Sequence, residues 1–243
     1  MKKQNFRRKN KPSTKPEGLY VESWSALQEY LQYQEQRIKK IECPDRDMNR
    51  LGKLLEGRSL PCPIEQGAES LKVFVQEDFR DEFRLEEKLP DQLSPVVLAL
   101  DHITDTRNLG AILRSASFFG VSDIVVPQKR QAPIALGTMS TCQGALVFTD
   151  VYSVVNLVRT LRKLKDHGYW IVGTDMGGEP MDRYSSKYEK VVLVMGSEDK
   201  GLSRLVRKAC DVIVSIEGAP NRVESLNVAV AAGIVLQQFS KSL

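Results

Sequence analysis

The chain has 243 residues, 42% hydrophobic and 27% charged, with a formal net charge of +4, a balance that suits one large folded domain or two small ones. No apolar run reaches the roughly 18 residues that a membrane span needs, and residues 1–9 carry no apolar stretch of the kind a secretory signal has. Membrane-spanning and exported proteins are therefore argued against, and a cytoplasmic protein is expected. Cys43, Cys62, Cys142 and Cys210 stand far apart with no Cys-x-x-Cys pair, which speaks against structural zinc and against a disulfide framework.

Residues 1–18 hold Lys2, Lys3, Arg7, Arg8, Lys9, Lys11 and Lys15 against Glu17 alone, a formal +6 that leaves −2 for the rest of the chain. With Pro12, Pro16 and almost nothing apolar, the segment reads as a disordered basic tail. It is either an arm that neutralises nucleic-acid phosphates or a solubilising extension with no specific partner. Residues 19–90 read as a small α/β domain closing in a linker. Trp24, Leu27 and Leu31 share a helical face. Ile38–Cys43 is a short strand, and Asp45 can cap a helix through Leu55 with Met48, Leu51, Leu54 and Leu55 inward. Residues 60–64 form a weak strand whose prolines suit an edge, residues 71–75 a third strand, and residues 76–93 a charged, irregular stretch.

From residue 94 to 243 strands and helices alternate. Strands are expected at Val96–Leu100, 123–126, 145–148, 169–173, Val191–Met195 and 212–216. Helices are expected at 108–119, with Gly120 just past the end, at 133–143, from a Ser153 cap to Lys165, at 202–209 and at 225–239. This pattern predicts an α/β fold, a mostly parallel sheet with helices on both faces. The last helix is apolar nearly all round, through Leu226, Val228, Val230, Ile234, Val235, Leu236 and Phe239, and so needs cover on more than one side. The sheet can supply one side; a second copy of the chain in a two-fold dimer is expected on another.

Neither a Gly-x-Gly-x-x-Gly turn after the first strand of this region nor a P-loop occurs, which removes the usual nucleotide-cofactor readings. Of the two histidines, His102 ends that strand and His167 ends a helix, and no third residue at suggestive spacing completes a hydrolytic triad. Three segments carry polar residues where apolar elements begin or end. They are Asn108-Leu109-Gly110-Ala111-Ile112-Leu113-Arg114, then Val194-Met195-Gly196-Ser197-Glu198-Asp199-Lys200-Gly201-Leu202-Ser203, then Glu224-Ser225-Leu226-Asn227-Val228-Ala229-Val230-Ala231-Ala232-Gly233. In open α/β sheets, ligand-binding groups collect at the carboxyl ends of strands and the starts of the following helices.

In this order and spacing the segments resemble the motifs of the SpoU/TrmH family, RNA ribose 2′-O-methyltransferases of the SPOUT class, over roughly residues 94–243. The resemblance implies S-adenosylmethionine as cofactor with no metal, an RNA substrate, a homodimer, and a trefoil knot formed by the C-terminal segment. It implies that Asn108, Arg114, Glu198, Ser225 and Asn227 form the catalytic site, and that Thr174, Gly196, Ile216, Gly218 and Leu226 contact the cofactor. Arg107 and Arg114 are the RNA-binding candidates, because a guanidinium grips phosphate bidentately. Arg114 lies almost two turns beyond Asn108, and both are expected to face one cleft. With a pKa of about 12.5–13.8 an arginine is a poor base, so Arg114 is expected to hold phosphate and polarise the hydroxyl; outside this motif it would read as a surface ion-pair residue. Ser225 is a natural N-cap, Gly196 permits close backbone approach, and Glu198 also suits a helix start.

The family commonly has Ile-Pro-Met before the last helix, whereas this chain reads Ser215-Ile216-Glu217-Gly218-Ala219-Pro220-Asn221-Arg222-Val223, an altered loop. Residues 19–90 look like a small version of the ribosomal-protein-like RNA-binding domain of some members; the other reading is an extension that packs on the catalytic domain without touching RNA. That segment, and the lack of a basic C-terminal extension, favour ribosomal over transfer RNA. A non-catalytic RNA-binding or ribosome-assembly factor, a transfer-RNA 2′-O-methyltransferase and a base methyltransferase are the other readings. The joint presence of the five catalytic-site residues weighs against the first of these.

Overall fold

The computed structural model describes residues 19–60, 62–77, 79–89, 92–185, 187–219 and 225–242. The expected basic tail, Pro61, and residues 220–224, which include the end of the altered loop, lie outside the described residues.

The first unit comprises β1 (Leu19–Val21), α1 (Trp24–Tyr33), β2 (Ile38–Cys43), α2 (Met48–Leu54), β3 (Ile64–Gln66) and β4 (Lys72–Val75), with sheet order β1-β4-β2-β3. The side chain of Ser23 caps α1, accepting from the Ala26 amide. Leu27 and Leu31 are buried as their spacing predicts, but Trp24 stays partly exposed under the guanidinium of Arg50, 4.3 Å from its ring. Asp45 does not cap α2. Pro44 leads into a 3-10 turn, Asp45–Asp47, and no side chain caps the helix that follows. The second strand begins only at Ile64, past Pro61 and Pro63, which have no N–H to give a ladder. It does lie at the sheet edge.

The second unit is built on seven strands, all paired in parallel, in the order β11-β9-β10-β6-β7-β8-β5. In chain order its elements are β5 (Arg80–Asp81), α3 (Glu82–Lys88), β6 (Val96–Leu100), α4 (Thr106–Phe118), β7 (Asp123–Pro127), α5 (Leu136–Cys142), β8 (Asp150–Val154), α6 (Leu157–Asp166), β9 (Trp170–Pro180), β10 (Val191–Met195), α7 (Arg204–Ala209), β11 (Val212–Ser215) and α8 (Val228–Phe239). Strands β6, β7 and β10 are buried at every position, as central parallel strands must be. Alternate residues feed two cores. Val96, Leu98 and Leu100 meet Ile112 of α4, Met139 of α5 and Leu236 of α8. Val97 and Ala99 meet Leu161 of α6, Val206 of α7 and Leu85 of α3. The first core continues into Val21, Leu27, Tyr30 and Val73, so the N-terminal unit packs on the sheet domain without an apolar break.

Four local expectations are corrected. The charged stretch at 76–93 is not irregular: Arg80–Asp81 adds an edge strand beside β8, and the Asp81 carboxylate caps α3, accepting from the Arg84 amide at 3.0 Å. Its charges anchor it, since Lys88 Nζ reaches both Asp123 and Asp150 at 2.9 Å. The apolar run at 145–148 is not a strand but a buried 3-10 turn, Ala145–Val147. Gln143 at φ 47 and Gly144 at φ 89 reverse the chain ahead of it, and periodicity alone cannot tell such a short run from a strand. Ser153 sits inside β8 and caps nothing; Asn156 caps α6 through the Arg159 amide at 3.1 Å. Finally, β9 runs on past Gly173 to Pro180. There Gly178 lets the β11 backbone approach so closely that a Cβ would stand 2.6 Å from the Val214 carbonyl carbon.

Candidate active site

A parallel sheet gathers the ends of its strands on one edge, and the three motif segments meet there. After β6 the buried Asp101 accepts the Ser203 amide at 2.6 Å, fixing the β6 end to the segment after β10. Its other oxygen lies 2.6 Å from Nδ1 of His102, a close contact outside hydrogen-bonding angles. Asp105 caps α4 by accepting from the amides of Arg107 and Asn108. Those bonds, with the neighbouring Arg107 guanidinium foremost, hold its carboxyl below the usual range. The cap places Asn108 in the first turn of the helix.

After β10 the chain makes a closed turn. Ser197 and Gly201 exchange backbone hydrogen bonds at 3.0 and 2.9 Å. A Cβ on Gly196 would collide with the backbone of Gly201 and Leu202. The close approach that this glycine permits is thus to its own loop, and Glu198 is held out at the tip of that turn.

The third segment starts α8, with a correction. Ser225 is exposed and lies ahead of the helix; the cap is Asn227, whose Oδ1 accepts the Ala229 amide at 2.9 Å. Asparagine caps as well as serine, and its place immediately before the helix decides between them. Its Nδ2 donates to Glu198 Oε1 at 3.1 Å and to Asn108 Oδ1 at 3.0 Å, and Asn108 Nδ2 donates to Glu198 Oε2 at 3.0 Å. Three residues from three segments close a ring of hydrogen bonds on a solvent-reached surface. Asn227 commits both of its amide hydrogens to the ring, whereas Asn108 keeps one amide hydrogen for a ligand.

Arg114 does not join this ring within its own chain. Six residues along a helix is about 9 Å of rise and leaves the two side chains about 120° apart. Arg114 is exposed, with its charge within electrostatic reach of Glu29 on α1. Burial pushes the Glu29 carboxyl up, and the Arg114 guanidinium opposes that shift. Arg107 is 81% exposed and, among the described residues, pairs only with its own cap residue, Asp105, at 3.3 Å. The Thr174 hydroxyl is committed to the Val194 carbonyl at 3.1 Å, which leaves it no free donor. Leu226 is 42% exposed, Ile216 is half-buried, and among the described residues, its two chain neighbours aside, Gly218 has no heavy atom within 4 Å of where a Cβ would stand. Sequence reasoning missed Asp101; its signal was a carboxylate directly after five apolar strand residues. Among the described residues no group of three or more His, Cys, Asp or Glu side chains is arranged to hold a metal ion, and no helix is long and apolar enough to cross a membrane.

An α/β domain of this topology, with amide and carboxylate groups meeting at the carboxyl edge, has counterparts among known proteins. Residues 95–237 match the model of the SpoU rRNA Methylase family, and the chain belongs to that family. It is 44% identical over 149 residues to an uncharacterized tRNA/rRNA methyltransferase of Mycolicibacterium paratuberculosis, a match covering 61% of this chain and 48% of that one. The chain thus spans about half the length of the curated relatives it matches. Its fold is similar to that of the SpoU methyltransferase AviRb from Streptomyces viridochromogenes, with a TM-score of 0.77, 18% identity, and 93% of this chain and 89% of that one covered. It is also similar to the AdoMet-bound rRNA methyltransferase from Sinorhizobium meliloti, with a TM-score of 0.72, 22% identity and coverage of 93% and 88%. At these identities the two structural likenesses speak for the fold, and both extend over the N-terminal unit.

Proposed function

We propose that this protein methylates a ribose 2′-hydroxyl in structured RNA, ribosomal rather than transfer RNA, using S-adenosylmethionine and no metal. The observation that carries this reading is the ring formed by Asn108, Glu198 and Asn227. It brings together three segments whose order resembles that of RNA ribose methyltransferases, on the edge where α/β folds bind ligands. The cofactor, when bound, supplies an electrophilic methyl group. The residues fit such a group: Leu226 and Ile216 offer partly uncovered apolar surface for an adenine. The free amide hydrogen of Asn108 can orient the ribose, and Glu198 fixes both asparagine amides so that they need no reorganisation. Arg114 binds the neighbouring phosphate and polarises the hydroxyl.

A homodimer is part of this reading. Helices α4 and α8 pack against each other, and each leaves a large apolar side chain in water, Phe118 at 82% and Val230 at 52% exposure. Pairing across that face covers both, and it allows Arg114 to serve a ring other than its own. The knot belongs to the same reading, supported by the chain passing from β11 at one sheet edge to α8, which packs on α4 after the central strand β6. A cytoplasmic location follows from an RNA substrate of this kind. Calorimetry with S-adenosylhomocysteine tests the cofactor directly. Binding without added metal is expected, and no heat at millimolar ligand contradicts the proposal.

A further inference from the structure

The loop that leaves β7 carries two cations with no place in the ring described above. Lys129 and Arg130 are both exposed, and among the described residues neither takes part in an ion pair. Several other cations around the sheet are neutralised: Lys88 by Asp123 and Asp150, Arg159 by Glu82, Lys165 by Asp211 and Arg207 by Asp175.

This loop is fixed to its surroundings. The Gln128 amide donates to the Val154 carbonyl of β8 at 2.9 Å, and the Ala132 amide donates to the Ile103 carbonyl at 2.7 Å. The Ile103 amide donates to Gln131 Oε1 at 3.0 Å. Between these anchors Arg130 sits at φ 58, in the left-handed region, one of three non-glycine residues with positive φ among the described residues. Side-chain-bearing residues hold that conformation only where the surroundings impose it, and such residues cluster at ligand-binding positions. One residue further on, Gln131 Nε2 is buried and makes no hydrogen bond among the described residues. Helix α5, which follows this loop, abuts the start of α4, since a Cβ on Gly137 would stand 2.7 Å from Thr106 Oγ1, next to Arg107.

Strands β10, β6 and β7 are neighbours in that order. Their carboxyl ends therefore present, side by side, Glu198 with Asn108, then the loop after β6, then Lys129 with Arg130. We infer that Lys129 and Arg130 grip backbone phosphates of the substrate RNA, so that the strand crosses the carboxyl edge of the sheet from the Asn108–Glu198 ring, past Arg107, to the β7 loop. The inference rests on the proposed RNA-directed activity. It assigns these two residues to holding substrate and gives them no part in the chemistry. Phosphate contacts of this kind fix register and orientation and carry little sequence information. Each releases condensed counterions and so leaves a mark in the salt dependence of binding.

The test is filter binding of ribosomal RNA across a salt series by the full chain and by Lys129→Ala/Arg130→Ala, with S-adenosylhomocysteine calorimetry on both. The double variant is expected to bind RNA at least tenfold more weakly at low salt. Its log K against log salt slope should be shallower by about 1.4, the value for two single-strand contacts. Cofactor affinity should be unchanged, and the KM for RNA should rise with kcat nearly constant. Arg130→Gly separates binding from folding, because glycine accepts the positive φ: its Tm should hold or rise while RNA affinity falls. Unaltered affinity and slope in the double variant, beside a wild-type chain that binds RNA, overturns the inference alone. A wild-type chain that binds no RNA overturns the proposed function and this inference with it.

Discussion

The side-chain amide of Asn227 donates to the side-chain oxygen of Asn108, 119 residues away, at 3.0 Å. One end of Asn227 caps the last helix and the other ties that helix start to α4 and to Glu198. The ring is therefore complete only when the start of the last helix is seated against α4.

Substitutions at Asn227 separate its two tasks. Asn227→Ala removes the cap and two ring bonds, at a cost of about 1 kcal/mol for the cap, and is expected to lower methyl transfer at least a hundredfold. Asn227→Asp keeps an oxygen for the Ala229 amide but sets a carboxylate against Glu198. It should nearly keep the Tm and still lose activity. Wild-type rates in the aspartate variant would show that the ring is not needed.

Arg114 is expected to matter for its shape. Arg114→Ala and Arg114→Lys should both abolish methyl transfer while leaving S-adenosylhomocysteine affinity within a few fold, because a lysine is a point charge without the bidentate fork. Full activity in the lysine variant would show that charge alone suffices.

Much of this is legible in the sequence, and each failure has its own physical cause. The strands β6 and β10 announce themselves as unbroken apolar runs, and Asn108, Glu198 and Asn227 were all named from their motifs. Ala145–Val147 misled because burial without alternation looks the same in a turn and in a short strand. The 80–88 segment misled because its charges read as solvated, whereas Lys88 is used against Asp123 and Asp150. Arg114 misled by arithmetic: six residues differ from the seven that would restore the same helical face.

The Lys88 anchor has a pH signature. Burial works against its ammonium, but hydrogen bonds to Tyr152, Asp150 and Asp123 outweigh this and hold its pKa above the ordinary lysine value of 10.5. A raised folded value means that the contribution is fully present below the unfolded pKa and is lost as pH rises through the folded one. Lys88→Met is expected to cost about 2 kcal/mol, less than breaking a fully buried pair, because 22% of the Lys88 side chain remains in water. Denaturation midpoints should show a constant gap between wild type and variant from pH 6 to about 9, narrowing only above about 10.5. A gap that opens with rising pH would contradict the assignment.

The exposed apolar residues on α4 and α8 set the expected assembly. Light scattering should give twice the chain mass of 27.4 kDa. Val230→Glu should give the single mass and lose activity together with the dimer. A monomer with full activity would refute the shared site.

The most direct test of an RNA 2′-O-methyltransferase built on the Asn108–Glu198–Asn227 ring is to map ribose methylation across total RNA. Cells with and without the gene should be compared by resistance of each nucleotide to alkaline cleavage. Deletion is expected to remove protection at one or a few ribosomal RNA positions, with restoration by the wild-type gene and none by Arg114→Ala. Identical protection maps, or a lost methyl group that resides on a base, would contradict the assignment.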